Sequence, residues 1–355
     1  MILRWLAALV AFVIVAIPGI VAFGNFSGDA TAANNSWALI AAIGLVLAFV
    51  AYALVEYLQT GGFGSIARQF DTRTIVLMPL AIALNIILGQ AVGAALKIPI
   101  YLDSIGTILV GALAGPIPGA LTGFLANILW TYVLPVPFNS SVAAGFAVVA
   151  AIIGLLAGIF GRVGWLRPRP NRSAGQLVLG AVVALLIVGA MAVYAYSRFY
   201  AGGLAFFNPD ANPDPIFVVF GWIIALIFLA FIVGFLALLF LRRDLTVAYV
   251  VMAGVLTGVV AALISAPISA NLFSGVTGSG TDFLVAAFRQ GGSDIATATF
   301  QQGLLSDPID KLVTFFTVYL ILNAMARRTK ARFPQGERLV ESGDEFDAEL
   351  EGARA

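Results

Sequence analysis

The chain has no cysteine and no histidine among its 355 residues. The first absence excludes disulfides, thiol chemistry and cysteine-held metals. The second removes the commonest general base, metal ligand and near-neutral proton switch. Charge is also scarce: Asp, Glu, Lys and Arg together make up 10% of the residues. A soluble domain carries about 25%. What fills the space is apolar, with 61% hydrophobic residues and a mean hydropathy of +1.01. Such a chain lacks the polar groups to wet a globular surface, and its long apolar runs lack the alternation of a membrane barrel. The composition predicts an all-α integral membrane protein. Net charge is +1, so bulk charge favours no nucleic-acid partner.

Apolar stretches of bilayer-crossing length fall at about 2–23, 37–58, 75–96, 141–161, 177–200, 216–241, 245–266 and 308–326. The first resembles a signal peptide in having a basic start, but its run exceeds the 7–15 residues of a signal core, so an uncleaved helix is expected. The stretch 98–134 is too long for one span, and Pro116 and Pro118 lie between Gly115 and Gly119 at its middle. One kinked helix or two short helices would fit this pattern. Arg4, Arg68, Arg73, the Arg162–Arg172 loop, Arg242, Arg243 and the basic residues after the last span decide between them. All fall on one side only if 98–134 is a hairpin turning at Gly115–Gly119. The positive-inside rule makes that side cytoplasmic. The expectation is about ten transmembrane helices in a cell (inner) membrane, with both termini cytoplasmic. Lys97, Arg198, Arg289 and Lys311 are then left near the outer side. Glu56 is expected to snorkel to the interface from the inner end of its span. The tail 327–355, rich in acids after Arg332, is expected to be cytoplasmic and disordered.

Catalytic templates are absent. There is no GxxxxGK[ST] phosphate loop, no HExxH, no CxxC and no nucleophile elbow. Nothing points to an enzyme, a cofactor or a metal site. Intramembrane acids and bases look too few for a proton relay. Polar residues do gather toward the outer side. Asp103 opens a short helix, where it would read an amine or simply cap the helix N-terminus. Asn127 and Trp130 share a face at i, i+3 spacing. Trp130 offers a flat ring for stacking a heteroaromatic ligand, or serves as an interfacial anchor. The segment 265–307 is too polar to span and too rich in small and aromatic residues for a plain linker. It holds Asn271, Thr277, Thr281, Asp282 and Gln301 around a glycine-rich turn. It reads as a ligand-covering loop, or as an ordinary outer loop with a surface helix at 282–289.

The stretches YLDSIGTILVGALAGPIPGALTGFLANILW, SAPISANLFSGVTGSGTD and GLLSDPIDKLVTFFTVYLIL resemble the S components of energy-coupling-factor (ECF) vitamin transporters. The resemblance covers residues 75–161 and 245–326. It implies a six-helix core, with core helices 1–4 at 75–161 and core helices 5–6 with a structured outer loop at 245–326. The chain departs from that pattern by an N-terminal transmembrane hairpin (1–58) and an inserted hairpin (177–241). The resemblance implies a substrate-binding subunit that captures a vitamin-like small nutrient at the outer face. Its partners would be a transmembrane coupling protein, two cytoplasmic ATPase subunits and membrane lipid. The family contacts its coupling protein through small residues four apart on the first core helix. Ala81, Gly89, Gly93, Ala91 and Ala95 match that spacing here, although internal packing uses the same residues. A membrane-embedded sensor or accessory subunit is the competing class. An independent secondary transporter is weaker, since no inverted repeat with midplane charges is evident.

Overall fold

A computed structural model describes residues 2–23, 29–96, 100–170, 172–201 and 215–340. Lys97, the 202–214 connection and the acidic tail 341–355 lie outside the described residues. The helices are α1 (Ile2–Phe23), α2 (Ala30–Thr60), α3 (Gly64–Ala67), α4 (Thr72–Gly89), α5 (Ile105–Ala114), α6 (Pro116–Tyr132) and α7 (Ala147–Arg162). They continue with α8 (Ala174–Ala201), α9 (Pro215–Leu241), α10 (Thr246–Phe273), α11 (Asp282–Gln290), α12 (Ile295–Ala324) and α13 (Arg327–Ala331). There is no strand among the described residues. Among the described residues six helices are long and apolar enough to cross a bilayer, and α5 and the Leu229–Leu241 part of α9 are shorter apolar helices. The protein is an all-α, multi-pass membrane protein. Large apolar side chains such as Ile14, Leu39, Val46, Leu80, Ile87 and Leu186 stay exposed on the helices, as a lipid-facing surface requires.

Local chemistry sets the helix ends. The Asp71 carboxylate accepts the Thr74 N–H at 2.8 Å to start α4, and Asp29 accepts the Thr31 N–H at 2.8 Å to start α2. Within 98–134 the chain breaks at Gly115, whose φ of 131° suits glycine alone. Pro116 then opens α6 at the one place where a missing N–H costs nothing. Two short helices therefore replace one kinked helix, and the turn is a single residue rather than Gly115–Gly119.

The core forms where α5, α7, α10 and α12 meet, around Ile108, Leu113, Val250 and Phe315, all essentially fully buried. Here the backbones approach too closely for side chains. A Cβ at Gly154 would strike the Gly119 carbonyl, and one at Gly258 would strike Pro308 of α12. α1 packs chiefly on α2, at the edge of the bundle.

The described arginine clusters gather at one end of the bundle. Arg73 Nη1 donates to the Arg332 carbonyl at 3.2 Å, Arg338 Nη1 to the Arg162 carbonyl at 2.7 Å, and Arg167 Nε to the Val340 carbonyl at 3.0 Å. Two expectations are corrected at this end. Glu56 does not snorkel: it is 1% exposed and accepts the Ser65 N–H and hydroxyl, both at 2.6 Å, with Arg4 at 3.4 Å. Its carboxylate ties α2 to the turn before α4 instead of reaching water. The tail is not disordered through 327–340. Gln335 donates its N–H to the Leu113 carbonyl at 2.8 Å and its amide to the Gly111 and Gly158 carbonyls, both at 3.3 Å. Leu339 and Val340 are buried behind it.

Candidate ligand cavity

At the end of the bundle away from the arginines, α12 carries three charged residues within five positions: Asp307, Asp310 and Lys311. Asp307 and Lys311 are four apart and so share a face. All three are buried, at 6%, 0% and 4% exposure. Charges inside a membrane bundle are expensive unless paired, and these are paired across three helices. Lys311 Nζ donates to Ser104 Oγ at 2.8 Å and to the Asp310 carboxylate, and lies 3.9 Å from Asp103. The other Asp310 oxygen accepts the Tyr101 and Leu102 N–H groups at 2.9 and 2.8 Å. Asp307 accepts hydroxyls from Ser265 of α10 at 3.0 Å and from Ser306 at 3.2 Å. Nearby, Asn85 joins α4 to α5 by donating to Thr107 Oγ1 at 2.8 Å and accepting the Gly106 N–H at 2.7 Å.

These groups border a cavity of about 350 Å³, within the roughly 300–1,000 Å³ typical of small-molecule sites. Asp103, Ser104, Asp307 and Lys311 form its charged side. Asn127, Trp130, Tyr101 and Phe146 add amide and aromatic surface, and Thr277, Gly278 and Ser279 of the outer loop also line it. The covering turn is knitted by Asp282, which accepts the Thr277 N–H at 2.9 Å, the Gly278 N–H at 2.7 Å and the Thr277 hydroxyl at 2.7 Å. Left-handed backbone at Gly275 and Gly278, both with φ of 77°, lets the loop fold this tightly. A hydroxyl chain then runs from Thr277 through Ser279 and Thr281 to Tyr101, with oxygens 2.7–2.8 Å apart.

Sequence-predicted residues divide accordingly. Asp103, Asn127, Trp130 and Thr277 meet at the cavity. Asp103 does not cap α5, since Ser104 occupies the cap position without a capping bond and the Asp103 carboxylate turns to Lys311. Trp130 contributes its ring only: the indole N–H is spent on the Phe138 carbonyl at 3.1 Å. Thr281 stands behind the wall, bonded to Tyr101. Asp282 shapes the loop from beneath and does not line the cavity. Asn271 is exposed and donates to its own helix at the Pro267 carbonyl, 2.7 Å away, so it is not a pocket residue. Gln301 accepts from Ser293 at 3.1 Å and is likewise outside. Among the small residues of the first core helix, Ala81 packs on Gly106 and Gly89 on Trp130, and Gly93 lines the cavity. These three serve the interior rather than a partner helix, whereas Ala91 and Ala95 are exposed.

Residues missed from sequence are Asp307, Asp310, Lys311, Ser104, Tyr101 and Ser265. The available signal was three ionisable groups in five positions of an otherwise apolar helix, which in a membrane marks a functional site. Lys311, expected near the outer side, is instead buried, because Asp310, one residue earlier, neutralises it. Asn127 completes the site. It is 6% exposed and lines the cavity, and its amide makes no hydrogen bond to any described residue. Comparison with protein-family models, curated proteins and solved structures yields no match to this chain.

Proposed function

We propose that the protein is the substrate-binding membrane subunit of an ECF-type importer, capturing a vitamin-like small nutrient at the outer face. The observation that carries this reading is the cavity itself: a half-open, mixed polar and aromatic space at one end of a membrane bundle, bordered by buried ionisable groups. Such groups are retained in a membrane where they serve a ligand or an ion path. The gathering of arginines at the opposite end supports ten helix crossings with that end, and both termini, in the cytoplasm of a cell-membrane protein. The absent phosphate loop fits energy supplied by two partner ATPase subunits acting through a transmembrane coupling protein, with lipid around the rest.

One observation favours the alternative of a membrane-embedded sensor or accessory subunit. Ala81, Gly89 and Gly93, which the importer reading assigns to the coupling protein, are used inside the bundle, leaving Ala91 and Ala95 for contact. Affinity purification of the tagged chain from its own membranes separates the two. The importer reading expects two ATPases and a membrane coupling protein in the eluate. Native mass spectrometry of the same sample should show a small molecule bound to the chain. A bound molecule without ATPases would favour the sensor.

A further inference from the structure

We infer that the cavity accepts an organic cation, a small molecule with an amine or quaternary ammonium group attached to a flat or apolar body. The inference rests on the reading of the cavity as a capture site and names its ligand class. The charge count comes first. Among the described residues at the cavity, Asp103, Asp307 and Asp310 supply three carboxylates and Lys311 supplies one ammonium. Lys311 is already committed to Asp310 and Ser104 and leans toward Asp103, so it offers little to an incoming anion. Asp310 is consumed by Lys311 and two backbone N–H groups. Asp307 has two serine hydroxyls and, like Asp103, only a share of the one Lys311 charge, and Asp103 keeps 27% of its side chain exposed. Both line the cavity, and a ligand that brings a positive charge relieves their unbalanced burial.

The rest of the wall fits the same class. Trp130, Tyr101 and Phe146 present aromatic surface, whose electron-rich faces attract a desolvated cation. The nine-tenths buried Asn127 amide lines the same space and has no hydrogen-bond partner among the described residues, so the site offers hydrogen-bonding capacity that those residues leave unused. A bare metal ion suits the site less well. Among the described residues no three acidic side chains converge closely enough to hold one.

Three one-ring probes that differ in charge test this: benzylammonium, benzyl alcohol and benzoate. Each is titrated against the purified full chain in lipid nanodiscs, with binding read by quenching of tryptophan fluorescence and by thermal midpoint. The expected order is benzylammonium about tenfold or more tighter than benzyl alcohol, with benzoate weakest. Asp307→Asn should remove most of that preference, with an unchanged thermal midpoint in the absence of probe certifying the variant's fold. Asp103→Asn gives an independent second variant with the same expectation. Equal binding of all three probes, or a preference for benzoate, overturns the cation inference while leaving a small-molecule site in place. No binding of benzylammonium at millimolar concentration also overturns it. Failure of the capture reading itself shows separately, as the absence of any co-purified molecule by native mass spectrometry.

Discussion

The Asp310 carboxylate accepts the backbone N–H of Leu102 at 2.8 Å, and Leu102 has a left-handed φ of 54° that a branched side chain rarely adopts. One buried side chain on α12 thus fixes the strained backbone that delivers Tyr101, Asp103 and Ser104 to the cavity. The same carboxylate neutralises Lys311, so positioning and charge balance share one residue.

Asp310→Ala should therefore be among the most damaging single changes in this region. It leaves Lys311 buried beside a distant Asp103 and frees two N–H groups. Removing one partner of a buried pair costs about 3–5 kcal/mol. Thermal unfolding in detergent should show a large drop in midpoint. The double variant Asp310→Asn with Lys311→Met should recover part of it, because no uncompensated ammonium remains. Recovery of nothing would mean that the backbone bonds, not the charge, dominate.

Asn127 and Asn271 should part company. Asn127→Ala removes an amide that lines the cavity and bonds to no described residue, so ligand retention should fall while stability holds. One lost hydrogen bond in a covered site costs roughly 1–3 kcal/mol, or about 5- to 150-fold in affinity. Asn271→Ala breaks only a bond to its own helix and should retain ligand as the unaltered protein does. Occupancy of the co-purified molecule by native mass spectrometry compares the two. Equal occupancy in both variants would remove Asn127 from the site.

Orientation is testable against a clean background, since the chain has no cysteine. Arg338→Cys, exposed at the arginine-rich end, should react only with reagents on the cytoplasmic side. Gln290→Cys, exposed at the end of α11, should react only from outside. Labelling of both from one side would refute the alternating arrangement of helices.

Asp294 gives a pH signature. Its carboxylate caps α12 by accepting the Thr297 N–H and hydroxyl, both at 2.9 Å, and these bonds hold its pKa below the ordinary aspartate value. A depressed folded pKa means that the stabilisation is present above the unfolded value of about 3.9 and is lost as pH falls through the folded value. Hydrogen exchange in the first turn of α12 should accelerate below about pH 4 in the unaltered protein. Asp294→Asn keeps a capping oxygen but does not titrate, and should flatten that dependence. A variant with the same acid response would place the titration elsewhere.

The sequence alone determined the solvent, and with it the class. Apolar runs of bilayer length and scarce charge leave only a helical membrane bundle, because lipid cannot satisfy unpaired backbone groups. The break at Gly115 was legible too, since glycine and proline act through their own backbone chemistry. Asn127, Trp130 and Asp103 were found because polar and aromatic groups at one depth stand out against an apolar chain. Tertiary structure decided how each of these is used. Only packing shows that the Trp130 N–H is already spent and that Asp282 supports the loop from beneath. Whether Lys311 meets water or Ser104, and whether Ala81 faces a partner or Gly106, depends on which neighbour occupies the facing segment. Periodicity fixes the face of a residue, but its partner can lie 207 positions away in the chain, as Ser104 does from Lys311.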